Sequence, residues 1–115
     1  MAFKVLVATD GSEHSMKGVQ RALELAEKEG AEVTIMSVAF YAKDDFDEMP
    51  LNIQEKLESQ ALAAVKKAKA LFDEKGIKVD TVMEAGMVPA NNIVKRAEEG
   101  KFDQIVLGST GASGL

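Results

Sequence analysis

Two short segments of this chain hold the residue types that could bind a phosphorylated ligand. Residues 8–12 contain Asp10, and residues 108–114 combine glycines with the hydroxyl residues Ser109 and Thr110. Glycine lets backbone approach a ligand closely, so successive N–H groups of the second segment can cradle an anion, with hydroxyl donors beside them. The carboxylate of Asp10 suits ribose hydroxyls or Mg²⁺ better than phosphate. The glycine spacing matches neither the dinucleotide fingerprint nor a P-loop, so a plain flexible loop stays open as the alternative.

The pattern of apolar residues predicts the elements that position these segments. Apolar runs predict buried strands at 4–9 and 33–38, residues 102–107 predict a fourth strand, and the alternating run 77–84 predicts an edge strand. Apolar residues three and four apart predict three intervening helices, each closed by a glycine, with Ser12 capping the first. The expected inward residues of these helices are Met16, Val19, Leu23 and Ala26 in the first, Ile53, Leu57, Ala61, Ala64, Ala68 and Leu71 in the second, and Ile93, Val94 and Ala97 after Pro89 in the third. The βαβαβαβ order predicts an α/β domain with an open parallel sheet and helices on both faces.

This arrangement predicts where a ligand would bind. In open parallel sheets, ligands bind at the carboxyl ends of the strands, where the strand order reverses. The segments 8–12 and 108–111 follow the first and fourth strands. They line one crevice if those two strands are neighbours.

Composition excludes several classes of function. The chain has 115 residues, enough for one domain, and no cysteine, which excludes disulfides, thiolate metal sites and a cysteine nucleophile. Its single histidine excludes a multi-histidine metal site. The 19 acids and 14 bases give a net charge of −5, which disfavours nucleic acid as a partner. The sequence begins without a signal peptide and has no apolar run of about 20 residues, so we expect a cytoplasmic protein without a membrane partner.

Both candidate segments resemble the universal stress protein family. The resemblance lies in residues 5–13 and 105–111, with further similarity in residues 84–90 and at Ile93 and Val94, and it covers the whole chain. It implies a single Rossmann-like domain over 1–115 with strand order 3-2-1-4-5, in which the first and fourth strands are neighbours. Many members of this family bind ATP, and others act as dimeric signalling or protective proteins without it.

The resemblance also implies a role for particular residues around a nucleotide. Asp10 would meet the ribose or a phosphate bridged through Mg²⁺, which makes it the one candidate contact to a metal. Ala8 and Thr9 would line the adenosine. Val38 would contact adenine through its backbone, and Leu107 would pack nearby.

The phosphate end of the implied site has only half of the family's motif. ATP-binding members carry G-x-x-G, nine residues, and then G-[ST]. Gly108 and Gly111 match the first half and bracket Ser109 and Thr110. Because the second half would fall after Leu115, the resemblance implies a C-terminally truncated piece of a longer product, without the last helix and strand.

The resulting expectation is an ATP-binding regulatory protein of the stress response, homodimeric and cytoplasmic, with ATP as ligand and Mg²⁺ as a candidate companion. Two alternatives stay open: a homodimeric scaffold that binds no nucleotide, and a weak ATPase. We assign no catalytic residue, because neither a P-loop lysine nor an arginine finger accompanies Asp10 in the strand-end loops. At most slow ATP hydrolysis is expected.

Structural roles compete with each of these assignments. Asp10 is also a good turn former or helix cap, and Ser12 is most simply a cap. His14 is expected to be exposed. Tyr41 could stack on adenine but is expected to pack in its loop, and the acids at 44–48 are expected to form a solvated loop because they lack the calcium-loop spacing.

Overall fold

The computed structural model describes residues 3–41 and 49–108. Its elements are β1 (Lys4–Ala8), α1 (Glu13–Glu29), β2 (Glu32–Ala39), α2 (Leu51–Glu74), β3 (Asp80–Ala85), α3 (Pro89–Glu99) and β4 (Gln104–Leu107). The strands form one sheet of order β3-β2-β1-β4, and every neighbouring pair is parallel. The predicted α/β class, the open parallel sheet and the adjacency of the first and fourth strands are therefore confirmed.

The two central strands carry the buried centre of the sheet. Val5, Leu6 and Val7 of β1 have no exposed surface, as a strand covered on both faces requires. Val33 and Ile35 of β2 join Val5 and Val7 in the main core on the face that α1 and α2 cover. The continuous apolar runs predicted both strands for this reason.

Helix α1 begins and ends where the sequence predicts. The side chain of Ser12 accepts a hydrogen bond from the N–H of Ser15 at its start. Gly30 adopts a left-handed φ of 69° at its end, and the Gly30 N–H reaches back to the carbonyl of Ala26 at 3.2 Å. The residues that α1 buries are Met16, Gly18, Val19, Ala22 and Leu25, whereas Leu23 and Ala26 are half-buried.

Helix α2 buries a face turned slightly from the predicted one. Ala61, Ala64 and Ala68 are buried as expected, but Ile53 is 40% exposed. Phe72, rather than its neighbour Leu71, is the large side chain that fills the core at the end of the helix. The apolar spacing of three and four residues allows either phase, and packing against the sheet selects one.

Helix α3 differs most from the prediction. None of its residues is buried, Ile93 and Ala97 are half-buried, and Val94 is 51% exposed. Pro89 does start the helix as predicted. The expected inward face of Ile93, Val94 and Ala97 is therefore wrong for Val94, because no other described element packs on that side of the helix.

The outer strands β3 and β4 are shorter than predicted. The chain before β3 closes α2 instead, since Ile77 donates its N–H to the carbonyl of Phe72 at 3.0 Å, and Ile77 and Val79 pack against the main core. Before β4, Phe102 donates its N–H to the carbonyl of Ala97 at 2.9 Å. As predicted, β3 lies at an edge of the sheet.

Candidate functional site

The candidate site lies at the carboxyl ends of β1 and β4. These strands pair in parallel with Ala8 opposite Leu107. Asp10 and Gly108 therefore follow at the same edge of the sheet. The structure brings the two candidate segments together as far as Gly108, and Ser109, Thr110 and Gly111 lie outside the described residues.

The carboxylate of Asp10 is held by its own loop. Its Oδ1 accepts the N–H of Ser12 at 2.9 Å and the hydroxyl of Ser15 at 2.8 Å. Both bonds end on the same oxygen, and the residue is exposed. Asp10 is therefore a turn former, as the structural alternative predicted, and its other oxygen, Oδ2, makes no hydrogen bond to the described residues.

The side chain of Thr9 lies on the buried side of this loop and is hydrogen-bonded to it. Thr9 is buried, and its Oγ1 lies 2.7 Å from the Ser15 hydroxyl. The same oxygen accepts the N–H of Gly11 at 3.0 Å. Thr9 is thus placed beneath Asp10, with its hydroxyl directed into the loop.

Gly11 lets the loop turn against α2. Its φ is 86°, which L side chains rarely adopt, and a Cβ there would lie 3.3 Å from the Cβ of Ala64. Lys67 of α2 donates from Nζ to the carbonyl of Gly11 at 2.9 Å. The loop is therefore attached to a second helix as well as to α1.

Local hydrogen bonds set the charge state of Asp10. Hydrogen bonds from Ser12 and then Ser15 hold the pKa of the Asp10 carboxyl below its usual value, while partial burial opposes them. The group is accordingly an anion at neutral pH and an acceptor for hydroxyl donors.

The backbone of Val38 faces the space beyond the end of β1. The N–H of Thr9 donates to the carbonyl of Met36 at 2.9 Å, and among the described residues this is the last backbone hydrogen bond from the end of β1 to β2. Alternate residues of a strand bond to the same neighbour, so the peptide groups of Val38 are directed to the β1 side as well. The carbonyl of Ala39 points the other way and accepts the N–H of Gly86 at 3.0 Å.

The side chains beside this space are small or exposed. Ala8 is half-buried, and its register partner Leu107 is 58% exposed, which leaves apolar surface next to Asp10. An apolar surface beside a carboxylate and a free peptide can accept an aromatic base attached to a hydroxylated sugar.

The packing of α1 requires a glycine at position 108, which the sequence did not predict. A Cβ there would collide with the carbonyl oxygen of His14 and with the Cα of Ser15. A Cβ at Gly18 would in turn lie 2.7 Å from the N of Gly108. The two glycines let the first turns of α1 press on the end of β4, and this contact places the Asp10 loop beside Gly108.

Tyr41 and His14 lie apart from this arrangement. Tyr41 is buried beside Ala39 and Ala61 and donates its hydroxyl to Glu58 Oε2 at 2.7 Å, which raises the pKa of the phenol. It borders a groove of about 510 Å³ between α2 and β3, on the far side of β2 from Asp10. The side chain of His14 is exposed.

The acidic loop at 44–48 lies outside the described residues. Within residues 3–41 and 49–108, no group of three or more histidine, aspartate or glutamate side chains could hold a metal ion. In the same part of the chain, no helix is long and apolar enough to cross a membrane.

Sequence reasoning missed two residues of the site, Ser15 and Lys67. The spacing of Ser15, three residues after the cap Ser12, could have indicated a hydroxyl in the first turn beside Asp10. Nothing local indicates Lys67, because its contact with Gly11 spans 56 positions of sequence.

Comparison with known proteins places this chain in a family. The profile of the universal stress protein family matches residues 1–115. The chain belongs to the universal stress protein family. The universal stress protein MJ0531 of Methanocaldococcus jannaschii is 39% identical over 97% of this chain and 67% of the relative. Universal stress protein YxiE of Bacillus subtilis is 32% identical over 97% of this chain and 82% of the relative.

Solved structures of this family share the fold. The hypothetical protein MJ0577 is 27% identical with a TM-score of 0.78, over 100% of this chain and 80% of that chain. A universal stress protein solved in complex with cAMP is 26% identical with a TM-score of 0.74, over 97% of this chain and 80% of that chain. These likenesses agree with the Rossmann-like architecture that the sequence resemblance implied.

Proposed function

We propose that this protein is an adenine-nucleotide-binding regulatory protein of the stress response, with ATP as its ligand. The observation that carries the proposal is the Asp10 carboxylate, which its loop holds through Oδ1 alone while the residue stays exposed at the sheet edge. An ionised oxygen held in this way is suited to accept a ribose hydroxyl.

Two further observations support an adenine nucleotide. The peptide groups of Val38, directed past the end of β1, offer a donor and an acceptor to the edge of a base. A family member 26% identical to this chain has been solved with cAMP, which carries the same adenosine unit. We assign Ala8, Thr9 and Leu107 to the surroundings of the adenosine.

The described residues fit the nucleoside part of the ligand. Gly108, Ser109, Thr110 and Gly111 remain the proposed phosphate contacts, and Gly108 directly follows Leu107, the register partner of Ala8. If Mg²⁺ accompanies ATP, Asp10 is the carboxylate that would face it. Such an ion would neutralise phosphate charge, and the residues of the chain would hold the nucleoside.

The proposed activity is regulated binding, with turnover at most slow. Bound nucleotide would bridge the segments after β1 and β4 and alter the surface that they form together. A cytoplasmic homodimer is part of the proposal, supported by the exposed apolar side chains of Ile105 and Leu107 on the outer strand β4. Sedimentation velocity with and without ATP tests the dimer, and a monomer at all concentrations would contradict it.

The nucleotide site is tested by Asp10→Ala, with ATP affinity measured by calorimetry. A hydrogen bond to a charged group contributes roughly 1.5–3 kcal/mol, so affinity should fall about tenfold or more. Asp73→Ala is the matched control, because Asp73 is an exposed acid that pairs with Lys69 on α2. Equal affinities for the two variants, with both folded by circular dichroism, would refute the role of Asp10.

The phosphate end is tested by Gly111→Val. If the backbone at Gly111 approaches phosphate, a branched side chain should abolish ATP binding while leaving adenosine binding in place. Normal ATP affinity in a folded variant would show that this segment is only a connection. Should the unchanged protein bind neither ATP nor adenosine, the alternative of a scaffold that works without nucleotide would replace the proposal.

A further inference from the structure

The hydroxyl of Ser15 occupies the centre of the loop that holds Asp10. Its Oγ lies 2.8 Å from Asp10 Oδ1, 2.7 Å from Thr9 Oγ1 and 3.2 Å from the backbone N of Asp10. Ser15 is placed there by the first turn of α1, where its N–H bonds to the Ser12 side chain at 3.2 Å. The helix cap therefore fixes the position of Ser15.

The single proton of this hydroxyl has one strongly preferred acceptor. The carbonyl of Ser12 lies 3.1 Å away, but the carboxylate of Asp10 is closer and charged. The proton therefore goes to Asp10 Oδ1, and Ser15 Oγ accepts the N–H of Asp10 and the Ser12 hydroxyl, each at 3.2 Å. With the Thr9 hydroxyl at 2.7 Å, these contacts connect buried Thr9 through Ser15 to exposed Asp10.

The two oxygens of the Asp10 carboxylate therefore differ in their contacts. Oδ1 accepts two donors from the loop, the Ser15 hydroxyl and the Ser12 N–H, which together fix the plane of the group. The same two bonds fix the position of Oδ2 on this exposed side chain, and Oδ2 makes no hydrogen bond to the described residues. A preorganised acceptor of this kind gains more from one correctly placed hydroxyl than a freely rotating carboxylate does, because no rotation has to be frozen when the ligand binds.

We propose that Ser15 is the positioning residue that makes this site select ribonucleotides over deoxyribonucleotides, by holding Asp10 so that Oδ2 accepts a ribose hydroxyl. The inference rests on the proposed nucleotide binding and adds to it a second residue and a choice of sugar. Ser15 itself does not touch the ligand. Its removal acts only through the carboxylate.

The experiment compares ATP, 2′-deoxy-ATP and 3′-deoxy-ATP by calorimetry on the unchanged protein and on Ser15→Ala. The unchanged protein should bind ATP about tenfold or more tightly than 2′-deoxy-ATP, which lacks the hydroxyl that distinguishes ribose from deoxyribose. In Ser15→Ala the affinity for ATP should fall about fivefold, and the affinity for that analogue should stay the same. The preference for the ribose should shrink by the same factor.

Two controls separate positioning from general destabilisation. Ser59→Ala makes the same chemical change at an exposed site on α2 and should alter nothing. Ala22→Gly weakens the interior of α1, at a buried position away from the loop, and should lower Tm while leaving the ribose preference intact. A positioning role also predicts that the pKa of the Asp10 carboxyl, followed by NMR of its side-chain carbon, rises in Ser15→Ala and not in Ala22→Gly.

The possible outcomes distinguish the two proposals. An unchanged ribose preference in Ser15→Ala overturns the role of Ser15 while nucleotide binding stands. Equal binding of ATP and 2′-deoxy-ATP by the unchanged protein overturns ribose selection and leaves the nucleotide site in place. A failure of the unchanged protein to bind any of them overturns the proposed function itself.

Discussion

Helices α1 and α3 both begin at the carboxyl edge of the same sheet, and the chain holds them by different means. α1 buries residues along one face against β1, β2 and β4, whereas α3 buries none. α3 is tied down by polar contacts instead, because Glu84 of β3 accepts Arg96 Nε at 2.8 Å and Asn92 Nδ2 at 2.9 Å. A Cβ at Gly86 would collide with the Asn92 side chain, so the turn before α3 is built around this contact.

The two carboxylates near these strand ends are bonded in different ways. Glu84 uses both of its oxygens within the protein, Oε1 for Asn92 and Oε2 for Arg96. Among the described residues, Asp10 is bonded through Oδ1 alone, to Ser12 and Ser15. Asp10 follows the buried strand β1, whereas Glu84 lies inside the edge strand β3, so the two acids differ both in position and in how many of their oxygens are bonded.

The largest expected difference between the two helices is in core packing. Leu25→Ala in α1 should lower the free energy of unfolding by about 2–5 kcal/mol, because Leu25 is 4% exposed and its removal leaves a cavity. Val94→Ala in α3 should cost no more than about 0.5 kcal/mol. Urea unfolding measures both. A cost at Val94 equal to that at Leu25 would show that α3 is covered in solution.

The polar attachment of α3 is tested by Arg96→Met. The variant leaves the mostly buried Glu84 carboxylate without its guanidinium, so we expect a loss of about 1–3 kcal/mol. Hydrogen exchange should locate the loss in α3. Arg21→Met is the control, because Arg21 is exposed and its ion pair with Glu24 is long, at 3.9 Å. This variant should change stability by less than about 0.5 kcal/mol. Similar losses in both variants would count against a specific attachment.

The helix starts provide a smaller contrast. Ser12→Ala removes a side-chain cap from α1 and should cost about 1 kcal/mol. Val88 precedes α3 without a side-chain cap bond, so Val88→Ala should stay within about 0.5 kcal/mol. Thermal unfolding of both variants makes the comparison, which fails if the Val88 variant loses as much as the Ser12 variant.

The smallest effect is the pH dependence of the Asp10 loop. The pKa of Asp10 is lowered by folding, so its stabilising contribution is present above the unfolded value of 3.8 and is lost as pH falls through the folded value. The stability difference between the unchanged protein and Asp10→Asn should therefore be constant from about pH 5 to 8 and shrink below pH 3.8. A difference that grows on acidification would contradict the hydrogen bonds assigned to this carboxylate.

Local chemistry accounts for the parts of the fold that the sequence predicted well. The strands at 4–9 and 33–38 follow from short runs in which apolar residues predominate, as in a strand covered on both faces. The limits of α1 follow from Ser12 and Gly30, since both act through their own backbone or their immediate neighbours. The order of the strands was not local information and came from resemblance to the family.

The sequence by itself determined which elements form, where α1 begins and ends, and that acid, glycine and hydroxyl residues follow the first and fourth strands. Tertiary structure decided the phase of α2, the exposure of Val94, and the use of Gly108 as a contact for α1. It also decided that the turn at Gly11 is attached to α2. Each of these depends on atoms far apart in sequence, such as those of Lys67 and Gly11, whose distance is set only when helices pack on the sheet.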